Sequence, residues 1–199
     1  MASETGIISG ACLKLGTNPI TSRLDPSKAG RVFDAIYDGV RDAELRKNWW
    51  RFSIARTELS ALAEVPIGSQ YSHIYQLPTD CLMVIQVSEF FSTSLTDYRG
   101  ASEAPYAIEG RKLLTTFPAP LFLRYIKRII DTGLMDVAFQ ACLSSRLAYE
   151  ASEAITGSTS KGQAALTDYQ LALSEAQQAN AIETPPDVLP DDSWIVCRL

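Results

Sequence analysis

The apolar positions change period twice along the chain, dividing it into a helical stretch, a sheet-forming stretch and a second helical stretch. Residues 3–15 place Ile7, Ile8, Ala11, Cys12 and Leu15 at helical spacing, and Gly16 with Asn18-Pro19 closes that segment. Residues 26–48 predict the clearest helix, with Asp25 as N-cap and Pro26 at the first helical position. Ala29, Val32, Phe33, Ile36, Tyr37 and Val40 line one face of it. The other face carries Lys28, Arg31, Asp34, Asp38, Arg41 and Asp42 and reads as a solvated stripe. Local pairs there, such as Asp38 with Arg41 and Asp42 with Arg46, are each worth about 0.2–0.5 kcal/mol.

From Trp50 the period turns toward alternation, and residues 50–130 read as a β region. Trp50, Phe52, Ile54 and Arg56 predict a first strand, Tyr71 to Leu77 a weak second, and Cys81 to Val87 a buried third. Residues 92–105 are small and polar, as in a loop at a sheet rim. Tyr106 to Leu114 reads as a hairpin turning at Glu109-Gly110, and Leu121 to Ile130 as another strand. Helix then returns over 134–156, capped by Asp131-Thr132-Gly133, with Phe139, Cys142, Leu143, Leu147, Ala151, Ala154 and Ile155 inside. Residues 157–162 read as a break, and 163–182 as an alanine-rich helix burying Leu166, Tyr169, Leu173 and Ala176. The expected class is α+β: an antiparallel bundle of four helices packed with a small antiparallel sheet region, one domain over residues 1–183. Residues 184–199 hold Pro185, Pro186 and Pro190 and predict an extended arm.

Composition narrows the function classes. The chain has 199 residues, 46% of them hydrophobic, enough for one well-buried core. Eighteen basic against twenty-three acidic residues give a formal charge of −5, which argues against a grip on nucleic acid through counterion release. The densest basic stretch, Arg124 to Arg128, reads as the solvent face of a strand. Cys12, Cys81, Cys142 and Cys197 lie far apart with no C-x-x-C pair, so a zinc site is not expected and a reducing cytosol fits. The first residues lack the basic and apolar regions of a signal peptide, and no window is apolar enough to span a membrane.

Enzymatic constellations are scarce. The single histidine, His73, sits in a tyrosine-flanked strand, where a structural imidazole is the simpler reading than a general base. Asp80 serves a turn and Cys81 opens an apolar run, so neither suggests an activated thiolate. Asp34 and Asp38 share a helix face but lack the glycine turn and further oxygens of a calcium loop. No P-loop, G-x-S-x-G, G-x-G-x-x-G or H-E-x-x-H is present. No catalysis, cofactor or metal is expected; the alternative is a cytosolic helical enzyme or ligand-binding regulator with a pocket near His73.

A series of landmarks runs in order along nearly the whole chain. It comprises Ala11 to Gly16 with Ile20 and Leu24-Asp25, then Tyr37 to Arg46 leading into Trp50 and Phe52. Tyr75 to Leu82, Ile108 to Leu114 and Arg146 to Ala148 follow. Each alone is weak; jointly the order resembles the tail tubular protein A family, the head-to-tail adaptors of short-tailed bacteriophages. The sequence departs from that pattern at Arg51, where asparagine is common, and at Met83, where arginine is common. The resemblance implies a virion protein without enzymatic activity: a ring of twelve identical subunits between portal protein and a tail nozzle of the tail tubular protein B type. Double-stranded DNA would pass through the ring without sequence-specific binding. The expected portal or neighbour-subunit contacts are Pro185, Pro186, Val188, Leu189, Trp194, Ile195 and Val196 of the arm, whose apolar end is odd for a solvated terminus. Tyr98 and Arg99 are the expected nozzle contact.

Overall fold

Three serine and aspartate side chains start the long helices, and the first of them, Ser3, accepts the Gly6 amide at 3.1 Å. The computed structural model describes residues 3–67, 70–88 and 106–182. Ser3 caps α1, Glu4–Lys14, which buries the predicted face of Ile7, Ile8, Ala11 and Cys12. Helix α2, Lys28–Lys47, begins later than expected because Ser27, not Asp25, is its N-cap, its hydroxyl accepting the Gly30 amide at 3.1 Å. Asp25 is occupied one step earlier. Its carboxylate accepts from the Thr21 amide and hydroxyl and from the Ser27 amide at 3.0–3.1 Å, bonds that hold it well below the usual carboxylate range.

The alternation at Trp50 does not start a strand. Arg51–Ser53 forms a 3-10 turn, and only then does β1, Ile54–Leu59, begin. The cause is packing: Phe139 meets Trp50 and Phe52 edge-on at 5.0 Å each, so both rings belong to the helical core. The Trp50 indole N–H donates to the Glu44 carbonyl at 2.9 Å, tying the corner to α2.

Two three-stranded antiparallel sheets follow. The first orders β1, β6 (Leu121–Lys127) and β3 (Cys81–Ser88), with β6 in the middle. The second orders β2 (His73–Gln76), β5 (Lys112–Thr115) and β4 (Tyr106–Glu109). The β4–β5 hairpin turns on Gly110 and Arg111, one residue later than predicted, with Gly110 at φ +61° in the position that needs left-handed backbone. Leu59, Tyr75, Leu113, Leu121, Leu123 and Tyr125 gather in one apolar cluster between the strands. Arg124 corrects another expectation. It stands in the central strand between Arg56 and Gln86 and is 1% exposed, not on a solvent face.

Asp131 caps a short 3-10 turn, Thr132–Leu134, and not the helix that follows. Helix α3, Val137–Thr156, starts at Asp136, whose carboxylate accepts the Ala138 amide at 2.8 Å. Its inner face is as predicted except Ala154, which is exposed, while Ser144, Ser145 and Ser152 are buried. Helix α4, Thr159–Ile182, begins inside the predicted break, which shrinks to Gly157 and Ser158. Gly162 looks like a breaker but serves close approach: a Cβ there would lie 3.1 Å from the Ser152 hydroxyl on α3. The four helices and two sheets of the described residues make an α+β architecture.

Candidate functional site

Most residues singled out by sequence, Pro185, Pro186, Val188, Leu189, Trp194, Ile195 and Val196 together with Tyr98 and Arg99, lie outside the described residues. His73 opens β2 opposite Thr115, half-buried, its ring 6.4 Å from that of Tyr75. Asp80 accepts the Tyr125 hydroxyl at 3.2 Å, and burial pushes the Cys81 thiol up, away from nucleophilic use.

The polar face of α2 is solvated at Lys28, Arg31 and Asp38, as the sequence suggests, but Arg41 is buried and the face is tied to other elements. Arg23, in the loop before α2, donates to Asp34 at 2.8 Å, to Glu4 of α1 at 3.1 Å, and to Asp38. Arg41, 3% exposed, donates to Asp38 and Asp42 at 2.8 Å each. Asp42 reaches across to Arg128 beyond β6 at 2.7 Å, in place of the expected Arg46. Both guanidinium groups also lie over the Tyr37 ring, Arg23 at 5.1 Å and Arg41 at 5.9 Å. The Arg23 hydrogen bond is the main cause that holds the Asp38 carboxyl below its ordinary range. Carboxylates neutralised this way by arginine are poor calcium ligands, and among the described residues no group of three metal-ligand side chains gathers.

A second polar cluster is buried between α2, α3 and α4. Glu44, 2% exposed, accepts the Tyr169 hydroxyl at 2.9 Å, and that hydroxyl accepts from Lys47 at 2.6 Å. The Cys142 thiol donates to Glu44 at 3.9 Å. Burial, then the Glu44 charge, push Cys142 up to about 12 and Tyr169 upward as well. A thiol raised in this way is inert, so the cluster fastens helices and does not make a nucleophile.

The concave feature lies where the end of α4 returns to the start of α3. Asn180 bridges the corner after α2: its side-chain oxygen accepts the Arg51 amide at 3.0 Å and its nitrogen donates to the Trp49 carbonyl at 3.1 Å. One turn earlier Gln177 donates to Asn48 at 2.8 Å. On one side of Asn180 a cleft of about 230 Å³ is lined by Trp50, Arg51, Phe52, Leu134, Met135 and Asp136. On the other a cleft of about 260 Å³ is lined by Asn48, Trp49, Trp50, Arg51, Gln177 and Ala181. Trp50, Arg51 and Asn180 belong to both, so the two form one furrow. Leu134 and Trp49 stand partly open to solvent along it, 62% and 40% exposed.

No family model and no curated protein matches the chain. The site therefore has to be judged by its own chemistry. The furrow is open, with Trp50, Phe52, Leu134 and Met135 as its apolar members and Arg51 and Asp136 as its charged ones. Asn180 and Glu44 were missed in sequence because each sits among residues of an ordinary polar helix face.

Proposed function

We propose that this chain is a head-to-tail adaptor of a short-tailed bacteriophage particle, a subunit of a ring of twelve that joins the portal protein to the tail nozzle and lines part of the DNA channel. The observation that carries this is the ordered landmark series, whose members are spread over both the helices and the sheets of the fold. Ala11 to Gly16 is the end and close of α1, and Tyr37 to Arg46 is the half of α2 that bears Arg41, Asp42 and Glu44. Leu77 to Leu82 is the turn into β3, and Ile108 to Leu114 is the β4–β5 hairpin. The α+β architecture agrees with what the family resemblance implies.

The function is binding and geometry, with no reaction. Weak contacts repeated around a closed ring raise the effective concentration of each later contact, so the joint resists the pressure of packaged DNA without one strong site. A formal charge of −5 per subunit suits a channel from which phosphate is to slide free. Pro185, Pro186, Val188, Leu189, Trp194, Ile195 and Val196 form the arm that grips the portal or a neighbouring subunit. Tyr98 and Arg99 meet the nozzle. The place of action is the virion, after synthesis in the host cytoplasm.

The test is to mix the protein with the purified portal complex encoded in the same genome and to image the mixture by electron microscopy. A twelve-fold layer beneath the portal is expected. A portal that stays bare at saturating protein refutes the adaptor reading.

A further inference from the structure

Helix α4 packs on α3 yet sits in the fold on quite different terms. It buries three of its twenty-four residues, Ala165, Tyr169 and Ala176, two of them alanines, whereas α3 buries nine of twenty. We propose that α4 is a hinged strap that leaves its seat on α2 and α3 and returns while the rest of the fold stays intact. Closed, it hides the Glu44 and Cys142 side chains; open, it presents them. Such a strap is a property of the single chain and does not depend on the ring proposed above.

Three observations carry this. The first is a joint. Helix α3 ends at Gly157, whose φ of +63° is left-handed backbone that glycine adopts without strain, and only Ser158 stands between it and α4. Beside that joint the two helices come close, since a Cβ at Gly162 would lie 3.1 Å from the Ser152 hydroxyl.

The second is a latch. One large side chain seats the middle of α4: Tyr169 is 3% exposed, and its ring lies 5.0 Å from the Lys47 ammonium and 5.1 Å from the Arg146 guanidinium. Its hydroxyl donates to Glu44 and accepts from Lys47. The larger aliphatic members of the same helix contribute less, because Leu166 and Leu173 touch the helical core but stay partly open to solvent.

The third is solvation. A helix seated on apolar side chains alone loses its contacts on lifting and regains nothing. Here lifting returns water to the Glu44 carboxylate, 2% exposed when closed, and that rehydration offsets part of the lost contact. Opening of α4 therefore costs less than unfolding the chain, as expected of a segment with few buried contacts.

Cys142 reports the opening, being 0% exposed with its thiol donating to Glu44 at 3.9 Å. The test labels the full chain with N-ethylmaleimide and follows Cys142 by peptide mass spectrometry at rising urea. Below the unfolding transition its labelling rate should be nearly independent of urea, since little surface is exposed. A rate that rises with the slope of global unfolding, or no labelling below the transition, overturns the strap. Leu113→Ala, in the separate core cluster of the sheets, should leave the rate unchanged, and a rise matching its loss of global stability overturns it too. Tyr169→Phe removes the latch and should speed labelling at least about tenfold; an unchanged rate refutes the latch. A bulky fluorescein maleimide, corrected for its reactivity with a free thiol, should be hindered no more than the small reagent. Exclusion of the bulky reagent would mean that Cys142 is reached by small fluctuations with α4 still seated, which also overturns the proposal.

Discussion

The helical layer and the sheet pair are held together in different ways. In the helices, Trp50, Phe52 and Phe139 interlock at 5.0 Å, and twenty-one of the described residues share one buried cluster. Among the described residues of the sheets the corresponding cluster has eight, each sheet shows three strands, and Tyr106 and Ile108 of β4 are open to solvent. Three-stranded sheets of this size stand by packing against something else, so stability is expected to be concentrated in the helices. The sharpest way to break this contrast is to open a cavity in each half. Phe139→Ala should cost about 3–5 kcal/mol and Leu113→Ala, equally buried, nearer about 2 kcal/mol, because thin sheets relax into a void more easily. Urea unfolding midpoints measure both; equal losses would abolish the distinction.

Within the helical layer α4 is the thinly held member, burying only Ala165, Tyr169 and Ala176 fully. Much of its attachment is polar, through Tyr169 to Glu44 and Lys47, Gln177 to Asn48, and Asn180 to the corner after α2. Tyr169→Phe removes the hydroxyl that both Glu44 and Lys47 use and leaves the buried carboxylate with the weak Cys142 donor. The expected loss is about 2 kcal/mol at neutral pH. A double-mutant cycle with Glu44→Gln sharpens it: strong coupling assigns the attachment to this pair, and additive losses assign it to the small-residue seam of Ser152 and Gly162.

The contrast also explains what was legible in sequence. Periodicity found the four described helices and the hairpin because burial of a stripe needs only spacing, and Ile7, Ile8, Phe33, Tyr37, Phe139 and Leu147 are all inside. It misplaced Trp50 and Phe52, since a 3-10 turn and the first residues of a strand alternate alike over so short a run. Arg41 and Arg124 were expected on solvent faces, and Glu44 was not singled out, for a different reason. A charged residue carries no local mark of burial: the pairing of Arg41 with Asp38 is legible in spacing but its 3% exposure is not, and Glu44 is inside because Tyr169 and Cys142 reach it from two other helices. The furrow shared this fate: Asn180 becomes a bridge only when α4 returns against the corner of Trp49 and Arg51.

The smallest expected effect lies in the charged side of the helical layer. Arg23→Gln removes the shared partner of Glu4, Asp34 and Asp38. Asp38 is more than half exposed and Arg23 partly so, which holds the expected loss at pH 7 to about 1 kcal/mol, shrinking as salt rises. The acid limb gives the more specific signature. The folded-state pKa of Asp38 is depressed, chiefly by the Arg23 hydrogen bond, so the stability it contributes is complete above the unfolded value of about 3.9 and is lost as pH falls through the lower folded one. Wild type and variant should therefore differ at neutral pH and converge as the pH falls from the unfolded value through the lower folded one. A gap that stays constant across that range would mean that Arg23 acts by packing on Tyr37, with its carboxylate partners contributing nothing to the clamp.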